Sequence, residues 1–342
     1  MVKKVLLTGI SGYIGLHCAK ELIDEGYDVK GSVRNKEKAR EVIKTLEIAD
    51  VNTKKLEIVE LDLNSDGGWA EASTNCDYVM HVASPFIVAE PKNPSDVISP
   101  AVNGTLRVLR AAKDAGVERL VLTSSVVSMM GSMKVGTFGP SDWTDIDAPD
   151  INTYIKSKTL AEKAAWDFIE NDNDNQPLEM TVIAPGGVFG PPLGDNITGQ
   201  SMAMLDQMLK GKIPMVPNAA FPMVDVRDVA KLHVKALTNP EAVGKRIIAA
   251  SAGPHGFASA AQILKDEGYK GPSTRIAPKF LLRLMAKFDR EARGMLNLVG
   301  MDLSCDNSET YNLFDWMPIP FKQSVIETAS TLETIQNAHW RS

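Results

Sequence analysis

Tyr154 and Lys158 stand four residues apart at the start of a segment with helical apolar spacing, so their side chains share one face of the predicted helix. A free tyrosine has a pKa of about 10 and is a poor acid–base catalyst near neutral pH. A lysine cation within a few ångströms stabilises the phenolate and lowers that pKa by roughly 1–3 units. A tyrosine in this setting can give a proton to a carbonyl oxygen as a hydride arrives at the carbon.

A second candidate group ends an apolar strand upstream, in the run Thr123-Ser124-Ser125. Ligands bind outside the carboxyl ends of the strands in open parallel sheets, and these residues stand at such an end. A serine hydroxyl there can hydrogen-bond a substrate oxygen and stabilise the negative charge that develops on it. Ser125, Tyr154 and Lys158 are therefore the predicted catalytic residues.

Strand-like apolar runs alternate with amphipathic helical patterns through the first half of the chain, and these elements must position the three side chains. Apolar strands separated by such helices indicate βαβ units with right-handed crossovers, and hence an α/β fold with a doubly wound, mostly parallel sheet. After Pro185 the pattern loosens into mixed helix and loop. Strands are predicted at 5–8, 28–33, 56–61, 78–83, 120–124, 180–184 and 246–250, and helices near 13–26, 36–47, 96–115 and 152–170.

A glycine-rich turn joins the first predicted strand to the first helix and is typical of dinucleotide binding. Gly9 permits the sharp turn, Gly12 lets the backbone approach a pyrophosphate, and Gly15 lets helix and strand pack closely. The helix N-terminus then offers N–H groups and a partial positive charge to the phosphates. The spacing between the first two glycines is one residue wider than in the G-x-G-x-x-G motif. The alternative interpretation is a glycine-rich turn that binds no ligand. The other residues of the predicted cofactor turn are Ser11, Tyr13 and Ile14.

The end of the second strand indicates which dinucleotide binds. NAD enzymes usually place an acidic residue there for the ribose hydroxyls, whereas this chain has Val33 followed by Arg34. Arg34, with Lys38 one helical turn later, suits the 2′-phosphate of NADPH or NADP⁺. The alternative is that both cations belong to a solvated charged run. Asp62 and Leu63 end the third strand where adenine would lie, and a helix cap is the other interpretation of Asp62.

Composition excludes several classes of protein. The chain has 342 residues, 44% of them hydrophobic, and a net charge of −6, which fits a globular protein and argues against a nucleic-acid partner. The three cysteines show neither metal-type spacing nor even pairing, which favours a reducing, cytoplasmic compartment. No leader is visible and no apolar run approaches the ~20 residues of a membrane span. The histidines form no metal-type cluster with Asp, Glu or Cys.

The glycine turn, Ser125, Tyr154 and Lys158 together resemble the extended short-chain dehydrogenase/reductase superfamily. Longer motifs are similar to its group of dihydroflavonol reductases, cinnamoyl-CoA reductases and NADPH-dependent aldehyde/ketone reductases; they lie at 81–86, 102–105, 154–166, 224–230, 316–320 and 324–329. The resemblance implies a Rossmann sheet of about seven strands with a smaller, discontinuous C-terminal substrate domain. It also implies hydride transfer from NADPH to a small apolar or aromatic carbonyl compound.

The resemblance further implies roles for individual residues. Tyr154 would be the proton donor, Lys158 would hold the nicotinamide ribose and lower the pKa of the tyrosine, and Ser125 would orient the carbonyl. Phe86 and Val126 would form part of the substrate wall. Further cofactor contacts would come from Val82, Ala83 and Ser84 near the centre of the cofactor, and from Pro185, Gly187 and Val188 beside the nicotinamide.

The implied domains are an NADP-binding unit of residues 1–186 with about 214–250, and a substrate unit of about 187–213 with 251–342. No acidic residue adjoins Ser125, which argues against dehydratase chemistry. A nucleotide-sugar epimerase or a hydroxysteroid-type dehydrogenase on the same fold stays open, as does an NADP-sensing regulator without catalysis. The helices near 96–115 and 152–170 suit a dimer interface, but the pattern fits a monomer equally well.

Overall fold

The computed structural model describes residues 2–86, 89–149, 151–172, 177–290, 293, 296–337 and 339–341. The strands are β1 (Lys4–Thr8), β2 (Asp28–Val33), β3 (Leu56–Glu60), β4 (Tyr78–His81), β5 (Arg119–Thr123), β6 (Val135–Phe138), β7 (Glu179–Pro185), β8 (Gly187–Phe189), β9 (Ala220–Phe221), β10 (Met223–Asp225), β11 (Arg246–Ala249), β12 (His255–Gly256) and β13 (Asp302–Cys305). The helices are α1 (Tyr13–Asp24), α2 (Lys36–Ile48), α3 (Trp69–Ser73), α4 (Ser95–Asp114), α5 (Val127–Met130), α6 (Thr153–Glu170), α7 (Gln200–Leu209), α8 (Val226–Thr238), α9 (Phe257–Asp266), α10 (Lys279–Met285), α11 (Ser308–Phe314) and α12 (Phe321–Gln336).

A parallel sheet of seven strands, in the order β11-β7-β5-β4-β1-β2-β3, forms the larger part of the described chain. The chain winds outward from β1 through β2 to β3, then returns to β4 on the other side of β1. The winding therefore reverses between β1 and β4, where Thr8 lies opposite His81. A crevice opens at the carboxyl ends of the strands at such a switch point, and ligands bind there. The predicted doubly wound Rossmann fold is confirmed.

The two faces of the sheet are buried in separate cores, because successive side chains of a strand point to opposite faces. On β1, Val5 and Leu7 belong to a core formed with α1, α2 and α8, whereas Leu6 belongs to a core with α4 and α6. All three side chains are fully buried. The helices that carry the predicted site residues are thereby fixed against the sheet on both sides.

Helix α6 lies beside α4 and carries Tyr154 in its first turn and Lys158 in its second. It begins at Thr153 because the side chain of Asn152 accepts a hydrogen bond from the Ile155 amide at 2.9 Å. Its buried positions include Ile155, Ala161 and Ala165, so its apolar stripe packs on the core and directs the Tyr–Lys face toward the end of β5.

Residues after Pro185, together with β6, build a second, smaller assembly. Strands β8 and β10 pair in parallel, and a four-stranded mixed sheet has the order β12-β9-β13-β6. Helices α7, α9 and α12 pack in a third core. We expected mixed helix and loop after Pro185 and did not predict β6 or the short strands β8, β9, β10, β12 and β13. These strands have two to four residues, too few for a period-two pattern to be recognised, and the partners β6 and β13 lie far apart in the chain.

None of the helices in the described ranges is both long and apolar enough to span a bilayer.

Candidate active site

The glycine turn lies tightly against the loop that follows β4. Gly9 has a φ of +71°, and a Cβ placed there would lie 2.8 Å from the backbone of Ala83. A Cβ on Gly15 would lie 2.1 Å from the carbonyl oxygen of Gly9. The Gly12 amide closes the turn by donating to that same oxygen at 3.0 Å. Side chains are therefore excluded from the points where strand, turn and helix meet.

The same turn presents an N-terminus to the switch point. Helix α1 has Gly12 at its cap position and no capping side chain, so its first N–H groups remain available for an anion. This geometry fits the diphosphate of a dinucleotide. Ser11 is half-buried beside the turn, Ile14 packs on the core, and the Tyr13 hydroxyl donates to the carbonyl of Gly190 at 2.7 Å. Tyr13 thus fastens the segment after β8 to the cofactor helix.

At the end of β2 the structure places a cation where an acidic residue would stand in many NAD enzymes. Val33 is buried, and Arg34 follows it on the exposed surface. Among the described residues no ion pair to Arg34 is found. Lys38, by contrast, pairs with Glu41 at 2.5 Å. One residue that we did not predict also acts here, because the Ser32 hydroxyl accepts a hydrogen bond from the Gly9 amide at 3.4 Å.

Asp62 and Leu63 follow β3 at the same edge of the sheet. The Asp62 carboxylate accepts hydrogen bonds from the backbone and side-chain amides of Asn64, at 2.9 and 3.2 Å. It therefore stabilises the local turn rather than capping a helix. The Leu63 side chain packs so closely on α4 that a Cβ at Gly104 would lie 2.6 Å from it, and its carbonyl accepts from Arg107 at 2.6 Å.

The three predicted catalytic residues converge at the carboxyl end of β5. Lys158 donates from Nζ to the carbonyl oxygen of Thr123 at 3.1 Å, and a side-chain hydrogen bond joins Ser125 to Tyr154. The amides of Ser124 and Val126 both donate to β7 carbonyls, at 2.8 and 3.0 Å. These bonds fix the backbone on either side of Ser125.

Electrostatics at Tyr154 differ from the expectation. Burial raises the pKa of Tyr154 to about 12, and the hydrogen bond with Ser125 acts weakly in the opposite direction. No lowering of this pKa by Lys158 accompanies these effects, and the Lys158 ammonium binds the Thr123 carbonyl. Burial lowers the pKa of Lys158 itself to about 8, opposed by the negative charge of Glu162. At neutral pH the tyrosine is therefore protonated, as a proton donor must be, and most of the lysine is charged.

Two buried histidines support the strand ends beneath these groups. His233 on α8 donates through Nδ1 to the Val229 carbonyl at 2.8 Å, which leaves Nε2 to accept from the Thr123 hydroxyl at 2.7 Å. His81 lies 2.8 Å from the Thr8 hydroxyl, which in turn accepts from the Ala83 amide at 3.2 Å. From the sequence we expected a hydrogen-bonded histidine at a buried strand end for His81, which agrees with its contact to Thr8, but only packing for His233. Nothing in the local sequence showed that each ring would lie beside a threonine hydroxyl at the end of a strand, Thr123 for His233 and Thr8 for His81.

The segment predicted to meet the nicotinamide continues β7 into β8. The Gly186 amide donates to the Ala249 carbonyl at 3.1 Å and the Gly187 amide to the Pro222 carbonyl at 3.0 Å. Pro185 is buried, whereas Gly187 and Val188 are half-buried. This backbone runs beside Val126, whose amide binds Pro185, and so lies next to the Ser125 turn. On the other side, Val82, Ala83 and Ser84 are half-buried after β4.

The two residues predicted for the substrate wall have different surroundings. The Phe86 ring meets the Tyr154 ring edge to face, with centroids 4.9 Å apart, and half of its surface is exposed. Val126 is 2% exposed and packs in a core with Met129 and Ala184. Phe86 therefore presents a surface beside the tyrosine, whereas Val126 supports the floor of the site from below.

A glycine turn at the switch point of a parallel sheet, with serine, tyrosine and lysine gathered at the same edge, defines a Rossmann dehydrogenase/reductase site. The family model described as the NAD dependent epimerase/dehydratase family matches residues 5–250. The chain belongs to this family, whose members are extended short-chain dehydrogenases/reductases, and the prediction from the motifs is confirmed.

Individual relatives agree with this assignment. The chain is 38% identical over 266 residues to the ketoreductase azaE of Aspergillus niger, a match that covers 72% of this chain and 77% of that protein. It is 31% identical over 270 residues to the NADPH-dependent methylglyoxal reductase GRE2 of Saccharomyces cerevisiae, covering 72% and 78%. The structure of Gre2 from Candida albicans in complex with NADPH superposes with a TM-score of 0.78 at 28% identity, covering 98% of this chain and 99% of that one.

Proposed function

We propose that this protein is an NADPH-dependent reductase of small aldehydes or ketones, with Tyr154 as the proton donor. The observation that carries the proposal is the convergence of Ser125, Tyr154 and Lys158 at the sheet edge that also holds the glycine turn. The names of the relatives support it, since one is an NADPH-dependent reductase of methylglyoxal and another a ketoreductase.

Bound NADPH would supply a hydride to the carbonyl carbon. The protein's own groups manage the charge that then develops on the carbonyl oxygen. Ser125 donates a hydrogen bond to that oxygen, and the Tyr154 hydroxyl, kept protonated by burial, gives it a proton. Lys158, whose ammonium lies at the Thr123 carbonyl beside this site, would hold the nicotinamide ribose. The apolar surroundings strengthen each of these interactions.

The preference for NADPH over NADH rests on Arg34. It is exposed beside the end of β2, and the described residues show no carboxylate paired with it. A phosphate on the adenosine ribose offers a guanidinium two charge-assisted hydrogen bonds. Lys38, held by Glu41, has the secondary role of adding positive charge to this region.

An apolar or aromatic carbonyl compound is the proposed substrate. The half-exposed ring of Phe86 lies against Tyr154, so a substrate whose oxygen reaches Tyr154 would place its apolar part against that ring. A division into a cofactor unit and a substrate unit is supported by the separate third core, but that core includes Val216, Ala219 and Met223, and β6 pairs with β13, so the substrate unit also takes in residues that we had assigned to the cofactor unit. Three buried, unpaired cysteines support a cytoplasmic location.

The test is turnover with both cofactors. Purified protein would be mixed with NADPH or NADH and with methylglyoxal, short branched aldehydes, aromatic aldehydes and aryl ketones, and cofactor oxidation would be followed at 340 nm. Reduction of several carbonyls, with NADPH preferred, is expected. Interconversion of a nucleotide sugar without net oxidation would indicate an epimerase, and oxidation of a hydroxysteroid a dehydrogenase. Tight NADPH binding without any turnover would contradict the proposal and favour a sensor.

A further inference from the structure

A third polar residue continues the face of α6 that carries Tyr154 and Lys158. Glu162 follows at the same four-residue spacing and is 1% exposed. Neither the proposed proton transfer nor cofactor binding uses it. A carboxylate is costly to bury, so its surroundings must compensate for the lost hydration.

The Glu162 carboxylate binds the serines on either side of Ser125. Its Oε2 accepts a hydrogen bond from the Ser124 hydroxyl and lies 2.6 Å from the Ser128 hydroxyl oxygen. That hydroxyl oxygen lies in turn 2.8 Å from the carbonyl oxygen of Ser125. One carboxylate therefore spans the whole turn in which Ser125 stands.

The other oxygen of Glu162 pairs with an arginine from the far edge of the sheet. Arg246, the first residue of β11, donates from Nε to Oε1 at 2.6 Å and is 8% exposed. Its Nη1 donates to the carbonyls of Pro140 and Asp142 at 2.6 and 2.7 Å, and its guanidinium lies 3.8 Å from the centre of the Trp143 ring. The arginine is thus fixed by several partners and presents its charge to Glu162 in one orientation.

Stability alone does not account for such a pair. Replacing a buried ion pair with well-packed apolar residues is often neutral or stabilising. What an apolar pair cannot provide is directional bonding to the serine turn and a negative charge one helical turn from Lys158. The charged and titratable groups that face Lys158 are Tyr154 and Glu162 on its own helix, His81 on β4 and His233 on α8. Burial lowers the pKa of the two histidines to about 3 and about 4, so both stay neutral.

We propose that Glu162, oriented by Arg246, is a positioning residue that holds the Ser124–Ser128 turn in place and sets a negative charge one helical turn from Lys158. This inference rests on the proposed reductase function. Glu162 touches no reacting atom; it acts through Ser125 and Lys158.

The first test compares Glu162→Gln with Asp167→Asn, which removes a carboxylate from the exposed face of the same helix. For Glu162→Gln we expect kcat to fall roughly 10- to 100-fold and the NADPH dissociation constant to change less than about threefold. The alkaline limb of the pH–kcat profile should move to lower pH by roughly one unit, because the pKa of Lys158 loses the support of Glu162. Asp167→Asn should match the wild type in all three measurements.

A second readout does not depend on turnover. Hydrogen–deuterium exchange of peptides covering 123–131 should quicken in Glu162→Gln and not in Asp167→Asn. If the wild type reduced no carbonyl while this exchange changed as expected, the proposed function would fail and the positioning role would stand. If the wild type were active and Glu162→Gln changed neither exchange nor the pH profile, the inference would be overturned.

The double variant Glu162→Leu, Arg246→Met removes the pair without leaving a buried charge. It should fold with a melting temperature close to that of the wild type and still lose kcat at least as strongly as Glu162→Gln. Full activity in this folded variant would show that the ion pair is only structural.

Discussion

The glycine turn, where we propose that the cofactor binds (the cofactor side, or rigid side), and the region around α10 in the proposed substrate unit (the substrate side) are built on different kinds of contact. At the glycine turn, backbone lies against backbone so closely that a Cβ on Gly15 would overlap the Gly9 carbonyl oxygen, at 2.1 Å. On the substrate side, α10 and the residues after it leave the rings of Phe280 and Phe288 74% and 86% exposed. The first region admits almost no variation in side chains, whereas the second can exchange side chains without moving its backbone.

The two sides are joined next to the tyrosine by Glu90. Its carboxylate accepts a bond from the Thr153 amide at 3.3 Å, at the start of α6, and its backbone carbonyl accepts from Arg290 at 2.7 Å. The tyrosine helix is therefore tied both to the sheet and to the segment after α10. Because the glycine turn is closely packed and the region around α10 is not, we infer that the rigid side determines which cofactor binds and which reaction occurs. Side chains such as Phe86 then determine which substrate is accepted.

The largest effect is expected from Tyr154→Phe. Removal of the hydroxyl eliminates the proposed proton donor, and kcat should fall roughly 10³-fold, within the range found for general acids. NADPH affinity, measured by cofactor fluorescence, should stay within about twofold because the turn and helix α1 are unchanged. Tyr311→Phe, a half-buried tyrosine that stacks on Trp316, is the control and should keep full activity. Comparable kcat in the two variants would remove Tyr154 from the mechanism.

Gly15→Ala should disrupt the glycine turn and leave the substrate side unchanged. The added methyl group would meet the Gly9 carbonyl oxygen at 2.1 Å, so the turn must shift away from the phosphates, and we expect NADPH affinity to fall about 100-fold. Gly253→Ala is the matched control on the substrate side, because a Cβ there meets nothing within 4 Å. Titration with NADPH gives the dissociation constant of each variant. Equal values for the two would contradict the claim that close packing at Gly15 shapes the cofactor site.

Arg34→Glu should separate the two nicotinamide cofactors. A carboxylate would repel the 2′-phosphate, so NADPH affinity should fall roughly 10- to 100-fold while NADH affinity changes little. Arg40→Glu, an exposed cation on α2, controls for a general change of surface charge. Equal losses for NADPH and NADH, read from the KM of each, would show that Arg34 does not discriminate between them.

The elements of the rigid side could be predicted from the sequence because their contacts are local. Strand β1, the glycine turn and α1 are contiguous, so local periodicity and glycine spacing describe them completely. Tyr154 and Lys158 share a helix, and their face follows from the period of 3.6. The strand at 246–250 was predicted, but its place beside β7 depends on long-range pairing.

What the sequence could not provide were contacts between distant segments. Glu162 meets Arg246 across 84 residues, and His233 meets Thr123 across 110. Neither pair leaves a local pattern. The pKa of Tyr154 was misjudged for a similar reason, since the burial that raises it is a tertiary effect. Val126 was assigned to the pocket from its position after Ser125, but the turn directs it into the core.

Phe86→Ala offers the smallest effect and the most direct test of the substrate side. Its ring contacts Tyr154 at 4.9 Å between centroids, so truncation removes an apolar wall without removing a reacting group. KM for aromatic aldehydes should rise about three- to tenfold, as expected for about 1 kcal/mol of lost ring contact, whereas kcat and the KM for methylglyoxal should change less than about twofold. Phe288→Ala, which truncates a more exposed ring on the same side, should leave both KM values unchanged. An equal rise for every carbonyl would mean that Phe86 holds Tyr154 in place rather than selecting the substrate.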